Sequence, residues 1–167
     1  MHSYFLGELS IGDAMLTSPE SDAPAYPGAN ASAADVIALA DVYRAAALLL
    51  FEQGPRGKRL SRAPFRLCAI QAIELYLNAE LLAQGMAPEQ VRGHLHNLTV
   101  RMRHATENGL VLRVRTAQHL EKLTEDREYL VTRYGPELAA NCSEPTRLMA
   151  TLEEVARKAS QRVLAAA

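Results

Sequence analysis

The sequence predicts an all-α protein, built as an antiparallel up-and-down helical bundle of four to five helices. Three observations lead there. Apolar residues recur at spacings of three and four along most of the chain, no stretch alternates as a half-buried strand would, and Gly and Pro punctuate the periodic segments at short intervals. Composition agrees. Of 167 residues 49% are apolar and 22% charged, with no Trp, three Phe and six Tyr, so the core has to be made from Leu, Ala, Ile and Val. At this length one domain with a sizeable core is expected, and no internal repeat is visible.

Residues 1 to 30 carry Pro19, Pro24, Pro27 and Gly28 with several Ser and Asp, and read as an irregular N-terminal arm that Tyr4, Phe5 and Leu6 can dock onto the body. Residues 31 to 167 form the bundle. The first helix starts at Ser32, with Asp35 as its capping partner, and Val36, Ile37, Leu39, Ala40, Tyr43, Ala47 and Leu48 keep helical spacing until Gly54. Gly54 to Ser61 is a connector, and Ser61 is the expected N-cap of a second helix running to Gln84 and stopped by Gly85. That helix is apolar nearly all round, with a narrow stripe of Gln71, Glu74 and Asn78, so several neighbours must bury it. Pro88 opens a third helix, expected to run to Asn108 with Gly109 closing it, while Gly93 weakens its start. A fourth spans Thr116 to Arg133, ended by Gly135 and Pro136. The fifth begins near Ser143 and Pro145 and continues through Leu148, Leu152, Val155, Ala159 and Val163.

Net charge is −1, which supports no global attraction to nucleic acid, but its distribution is uneven. Residues 1 to 53 hold seven acids and one base, whereas residues 54 to 119 hold ten bases and four acids. The middle of the chain is therefore a basic region in a neutral protein. Cys68 and Cys142 make no disulfide framework and no metal-ligand spacing, and a reducing cytoplasm is the expected location. The N-terminus lacks the basic start and sustained apolar run of a signal peptide, and the longest wholly apolar run, Ala45 to Phe51, is too short for a membrane span.

Arg92 and His96 stand one helical turn apart, so an unbroken third helix would put both on one face. A cation beside an imidazole can hold a phosphate and move a proton. Equally, His96 can hydrogen-bond inward to the polar stripe of the second helix, with Glu74 as its partner. His94, His96 and His104 invite a metal reading, but the first two point apart on a helix, and no metal or other cofactor is expected. Arg56, Lys58, Arg59, Arg62 and Arg66 occur in eleven residues with no acid among them, an array suited to phosphate groups. Phe65 is the only aromatic interleaved there, which gives single-strand stacking little support. No Gly-rich phosphate loop, nucleophile elbow or paired-cysteine zinc motif is present.

Ala69 or Ala72, Glu74, Asn78, Leu81 and Leu82, followed by Leu95, His96, Asn97 and Leu98 and then Ala105, Gly109 and Leu110, fall in the order of two HEPN helices. In that family the second helix resembles A-x-x-x-x-E-x-x-x-K-x-L-L and the third starts near G-H-D-L and ends near A-x-x-x-G-L. The chain resembles the HEPN family over about 45 residues, with Asn78 in place of Lys, Leu95 in place of Gly and Asn97 in place of Asp. Arg133, Tyr134, Gly135 and Pro136 are similar to an Arg-Tyr-Pro turn of some members.

The resemblance implies a homodimer, and, in the catalytic members, metal-independent RNA cleavage by an Arg and a His four to six residues apart. Arg92 and His96 have three residues between them. Arg113 and His119 have five, a spacing that fifteen Arg and five His produce about once by chance, and Val114 stands where a polar residue is usual. The leading expectation is a HEPN-like dimerising module that binds a nucleotide or RNA through Arg56, Lys58, Arg59, Arg62, Glu74, Asn78, Arg92 and His96. The alternative is a metal-independent HEPN ribonuclease, the toxin of a pair with a nucleotidyltransferase antitoxin, using Arg92 and His96 or Arg113 and His119.

Overall fold

The computed structural model describes residues 26–55 and 58–166. The docking of Tyr4, Phe5 and Leu6, and the position of Arg56, lie outside the described residues. Within them the all-α class holds, with no strand. Helix α1 (Ala33–Gln53) starts at Ser32 with the expected capping box: Ser32 Oγ accepts from Asp35 N at 3.1 Å while the Asp35 carboxylate accepts from Ser32 N at 2.9 Å. Helix α2 (Ala63–Ala83) ends before Gly85, whose φ of +86° lets the chain turn back so that Met86 N reaches Leu81 O.

One expected cap is absent. Ser61 does not cap α2, because Leu60–Arg62 form a 3-10 turn and Arg62 is already helical at φ −88°, ψ −3°. A side-chain N-cap needs an extended backbone. Ser61 Oγ instead donates to Lys58 O at 2.6 Å.

The expected third and fourth helices are each divided in two. The third becomes α3 (Pro88–Gly93) and α4 (Leu98–Glu107), separated by Leu95 at a left-handed φ of +50°. Asn97 re-caps the chain there, accepting from Val100 N at 3.0 Å. The fourth becomes α5 (Val114–Glu125) and α6 (Glu128–Tyr134), with Arg127 also at +50°. A 3-10 segment, Pro136–Asn141, leads to α7 (Pro145–Ala166).

Helix α2 is central, as its all-round apolarity predicts. It packs against α1, α4, α6 and α7, and Ala69, Ile73, Tyr76, Leu77 and Leu81 on it are fully buried. Leu98, Met102 and Ala105 of α4, Leu120 and Leu123 of α5, and Leu148, Leu152, Val155 and Ala159 of α7 complete the core. No helix among the described residues is long and apolar enough to cross a membrane.

Candidate functional site

Glu74, Asn78 and His96 meet in one polar cluster around a buried arginine. Arg101 of α4 is 2% exposed and donates from Nε to Asn78 Oδ1 at 2.6 Å. One terminal nitrogen approaches Glu74 Oε1 at 3.5 Å and Val91 O at 3.4 Å, and the other reaches His94 O and Asn97 O, each at 3.3 Å. The guanidinium thus adds a second donor to carbonyls around the break that already accept from backbone N–H groups, Val91 O from His94, His94 O from Asn97 and Asn97 O from Arg101. Sequence reasoning missed Arg101. Its signal was an Arg on the apolar face set by Leu98, Met102 and Ala105.

The second oxygen of Glu74 holds His96, with Nδ1 at 3.1 Å from Oε2. The inward alternative for His96 is therefore the observed one, yet its side chain is still 40% exposed. The ring lies 4.8 Å from that of Tyr129 and lines an open cleft of about 420 Å³, together with Leu95, Asn97, Thr124 and Arg127. Leu95 and Arg127 are the two non-glycine residues with positive φ among the described residues, and both stand at this cleft. Backbone strain of this kind concentrates at sites where geometry matters.

Arg92 takes another direction. Because the helix breaks after it, Arg92 and His96 do not share a helical face; Arg92 pairs with Glu89 at 3.6 Å and covers the Tyr26 ring at 4.4 Å. His94 stacks on His104 with ring centroids 5.1 Å apart, and its pKa is lowered by burial and by the charges of Arg101 and His104. Among the described residues no three potential ligands gather around a metal position.

Arg113 and His119 both face α7 but in different settings. Arg113 holds Glu154 through Nε at 2.5 Å and through its backbone N at 2.8 Å, with its side chain largely in solvent. Thr116 Oγ1 adds a 2.6 Å bond, so Glu154 caps α5 from a helix far away in sequence. His119 is buried, with Nδ1 2.8 Å from Thr151 Oγ1 and Nε2 without a partner among the described residues. Burial first, then the charges of Arg147, Arg66 and Lys122, bring its pKa down to about 4.

The basic connector opens onto a cavity of about 700 Å³, where the end of α1, the start of α2 and the start of α7 meet. Lys58, Arg59, Arg62 and Arg66 line it with Phe51, Glu52 and Glu144. Arg62 donates to Phe51 O at 2.7 Å, a cation at the C-terminus of α1, and lies 5.6 Å from the Phe51 ring centre. Arg59 donates to Ala140 O. Arg66 is 4% exposed, and its one hydrogen bond within the described residues is a 3.3 Å contact to Glu128. The other N–H groups of that guanidinium meet no acceptor among the described residues. Beside it begins α7, a 22-residue helix whose dipole favours anions at this end, although Pro145 has no N–H and the N–H groups of Arg147 and Leu148 are bonded to Glu144 O. Volume and chemistry suit a phosphate-bearing molecule of nucleotide size.

No family model, no curated protein and no solved structure matches the chain. The site residues thus stand on their geometry. That geometry gathers Lys58, Arg59 and Arg62 at one cavity and Glu74, Asn78 and His96 in one cluster, and it leaves Arg92 apart from both.

Proposed function

We propose that the chain is a HEPN-like module, its helices arranged up and down, which dimerises in the cytoplasm and binds a nucleotide or RNA through phosphate groups. The observation that carries the reading is the convergence of Lys58, Arg59, Arg62 and the buried, under-bonded Arg66 on one cavity at the N-terminus of α7. The HEPN part draws support from the corner at Leu95. The resemblance places Gly there, and φ is +50°, a conformation that Gly adopts without strain. Asn97, where the family has Asp, serves as the N-cap that either residue can supply. Titration of UMP and of an oligouridylate by calorimetry at low salt tests the reading. Binding that Arg59→Ala with Arg62→Ala abolishes supports it, and the absence of binding to the wild-type protein removes it.

A second reading, the metal-independent ribonuclease, is favoured by His96. An imidazole oriented through Nδ1 by a carboxylate and open to a cleft is arranged for proton transfer from its other nitrogen. Arg127 on the same cleft is the nearer cation in function, since Arg92 is engaged with Glu89 and Tyr26. RNA cleavage in the presence of a chelator, lost in His96→Ala and kept in His119→Ala, is the expected pattern. A nucleotidyltransferase would be the partner in that case.

A further inference from the structure

A second cavity, of about 170 Å³, adjoins the first, and Arg59, Arg66 and Cys142 line both. Its far side is formed by Val131, Arg133, Tyr134 and Pro136. Arg133 is exposed, and neither it nor Lys58, Arg59 or Arg62 forms an ion pair among the described residues. The Tyr134 side chain is 75% exposed, and its ring stacks on no other ring there. Exposed tyrosines are ordinary. What sets this one apart is its place at the lip of a basic groove, beyond the point where the larger cavity ends.

We propose that the ligand is a single strand of nucleic acid, its backbone held by Arg62, Arg66 and Arg133 and one base stacked on the Tyr134 ring. The inference rests on the phosphate-binding reading above and extends it from a single nucleotide to a strand. The larger cavity has the volume for one nucleotide, and the smaller one continues it past Arg66 to Arg133 and Tyr134, so a strand leaving the first cavity by this route meets a cation and an exposed ring. Tyr134 supplies a flat face for a base there, and stacking of this kind tolerates any base.

The two carboxylates of the larger cavity, Glu52 and Glu144, sharpen the choice. They repel the carboxylate side chains of an acidic peptide that enters the cavity. A nucleic acid instead presents base N–H groups, the N3–H of uracil and thymine among them, that donate to them. In sequence the stacking aromatic stands far from the basic connector, and folding brings both to one cavity, where Tyr134 and Arg66 share the lining. The groove is also separate from the Arg and His positions through which the resemblance implies cleavage.

The test is fluorescence anisotropy of labelled oligouridylates and oligothymidylates of increasing length on the full chain, with unlabelled UMP, inorganic pyrophosphate and polyglutamate as competitors. Affinity is expected to rise from the mononucleotide to about four nucleotides. With three cations engaged, log affinity should fall against log salt with a slope of roughly −2. Tyr134→Ala should weaken the oligomers roughly five- to a hundredfold, leave UMP unchanged, and be rescued by Tyr134→Phe. Equal affinity for UMP and the oligomers, or oligomer binding indifferent to Tyr134→Ala, overturns the strand and leaves a mononucleotide site. Polyglutamate competing as well as the oligomers also overturns it. If neither UMP nor any oligomer binds, the phosphate-binding reading itself falls.

Discussion

The Glu74 carboxylate is shared between a buried and an open group: one oxygen faces Arg101 at 3.5 Å and the other binds His96 Nδ1 at 3.1 Å. The buried contact fixes the carboxylate, and the carboxylate fixes the imidazole at the cleft.

Arg101→Met is expected to destabilise the fold by about 3–5 kcal/mol, because it removes the buried cation facing Glu74 and the side-chain hydrogen bonds to Asn78 and to the carbonyls of the α3–α4 corner. Adding Glu74→Gln should recover part of that loss. Chemical denaturation of the two single variants and the double variant measures it, and equal losses in Arg101→Met and the double variant would remove the charge argument.

His119 makes stability fall in mild acid. Its pKa is about 4 when folded, against 6.5 for the free group, so the unfolded chain takes up a proton that the native protein refuses. The contribution is full above 6.5 and is lost as pH falls from there toward 4, in total on the order of 3 kcal/mol. In His119→Gln the pH dependence of unfolding free energy across that window should flatten.

Glu154 acts at lower pH. Burial alone would raise its pKa, but hydrogen bonds from Lys158, Thr116 and Arg113 outweigh burial and bring it to about 2. Stability from this group is present above 4.5 and disappears as pH falls toward 2, a change of about 3 kcal/mol. Glu154→Gln should lower stability at neutral pH and shallow the acid limb of the stability curve, with the N-terminal turn of α5 exchanging its amide protons faster.

Leu95→Gly should stabilise the protein slightly. A left-handed conformation costs a residue with a side chain about 1–2 kcal/mol, and the added freedom of Gly in the unfolded chain returns roughly half of that. A small rise in melting temperature is expected, whereas Leu95→Val should lower it.

Helix α1 with its cap, the Gly85 stop of α2 and the buried character of α2 were legible, whereas the Ser61 cap was misplaced because Leu60–Arg62 already turn as a 3-10 segment. Ser32 and Gly85 were readable because each acts on its own turn. The breaks at Leu95 and Arg127 were not legible. Each is stabilised by a charge from elsewhere: Arg101 takes the carbonyls before α4, and Arg66 meets Glu128 at the start of α6. The basic cavity was half legible. Lys58, Arg59 and Arg62 are close enough in sequence to be seen, but their setting depends on α7 and on Tyr134, which only folding brings near.

Helices α3 and α6, at six and seven residues, are far shorter than the roughly 12–15 residues an isolated helix needs in water. Their existence depends on Arg101, which binds the carbonyls at the end of α3, and on Arg66, which meets Glu128 of α6. Cut from the chain as peptides, both would be coil, so each corner holds its short helix only while the rest of the fold is in place.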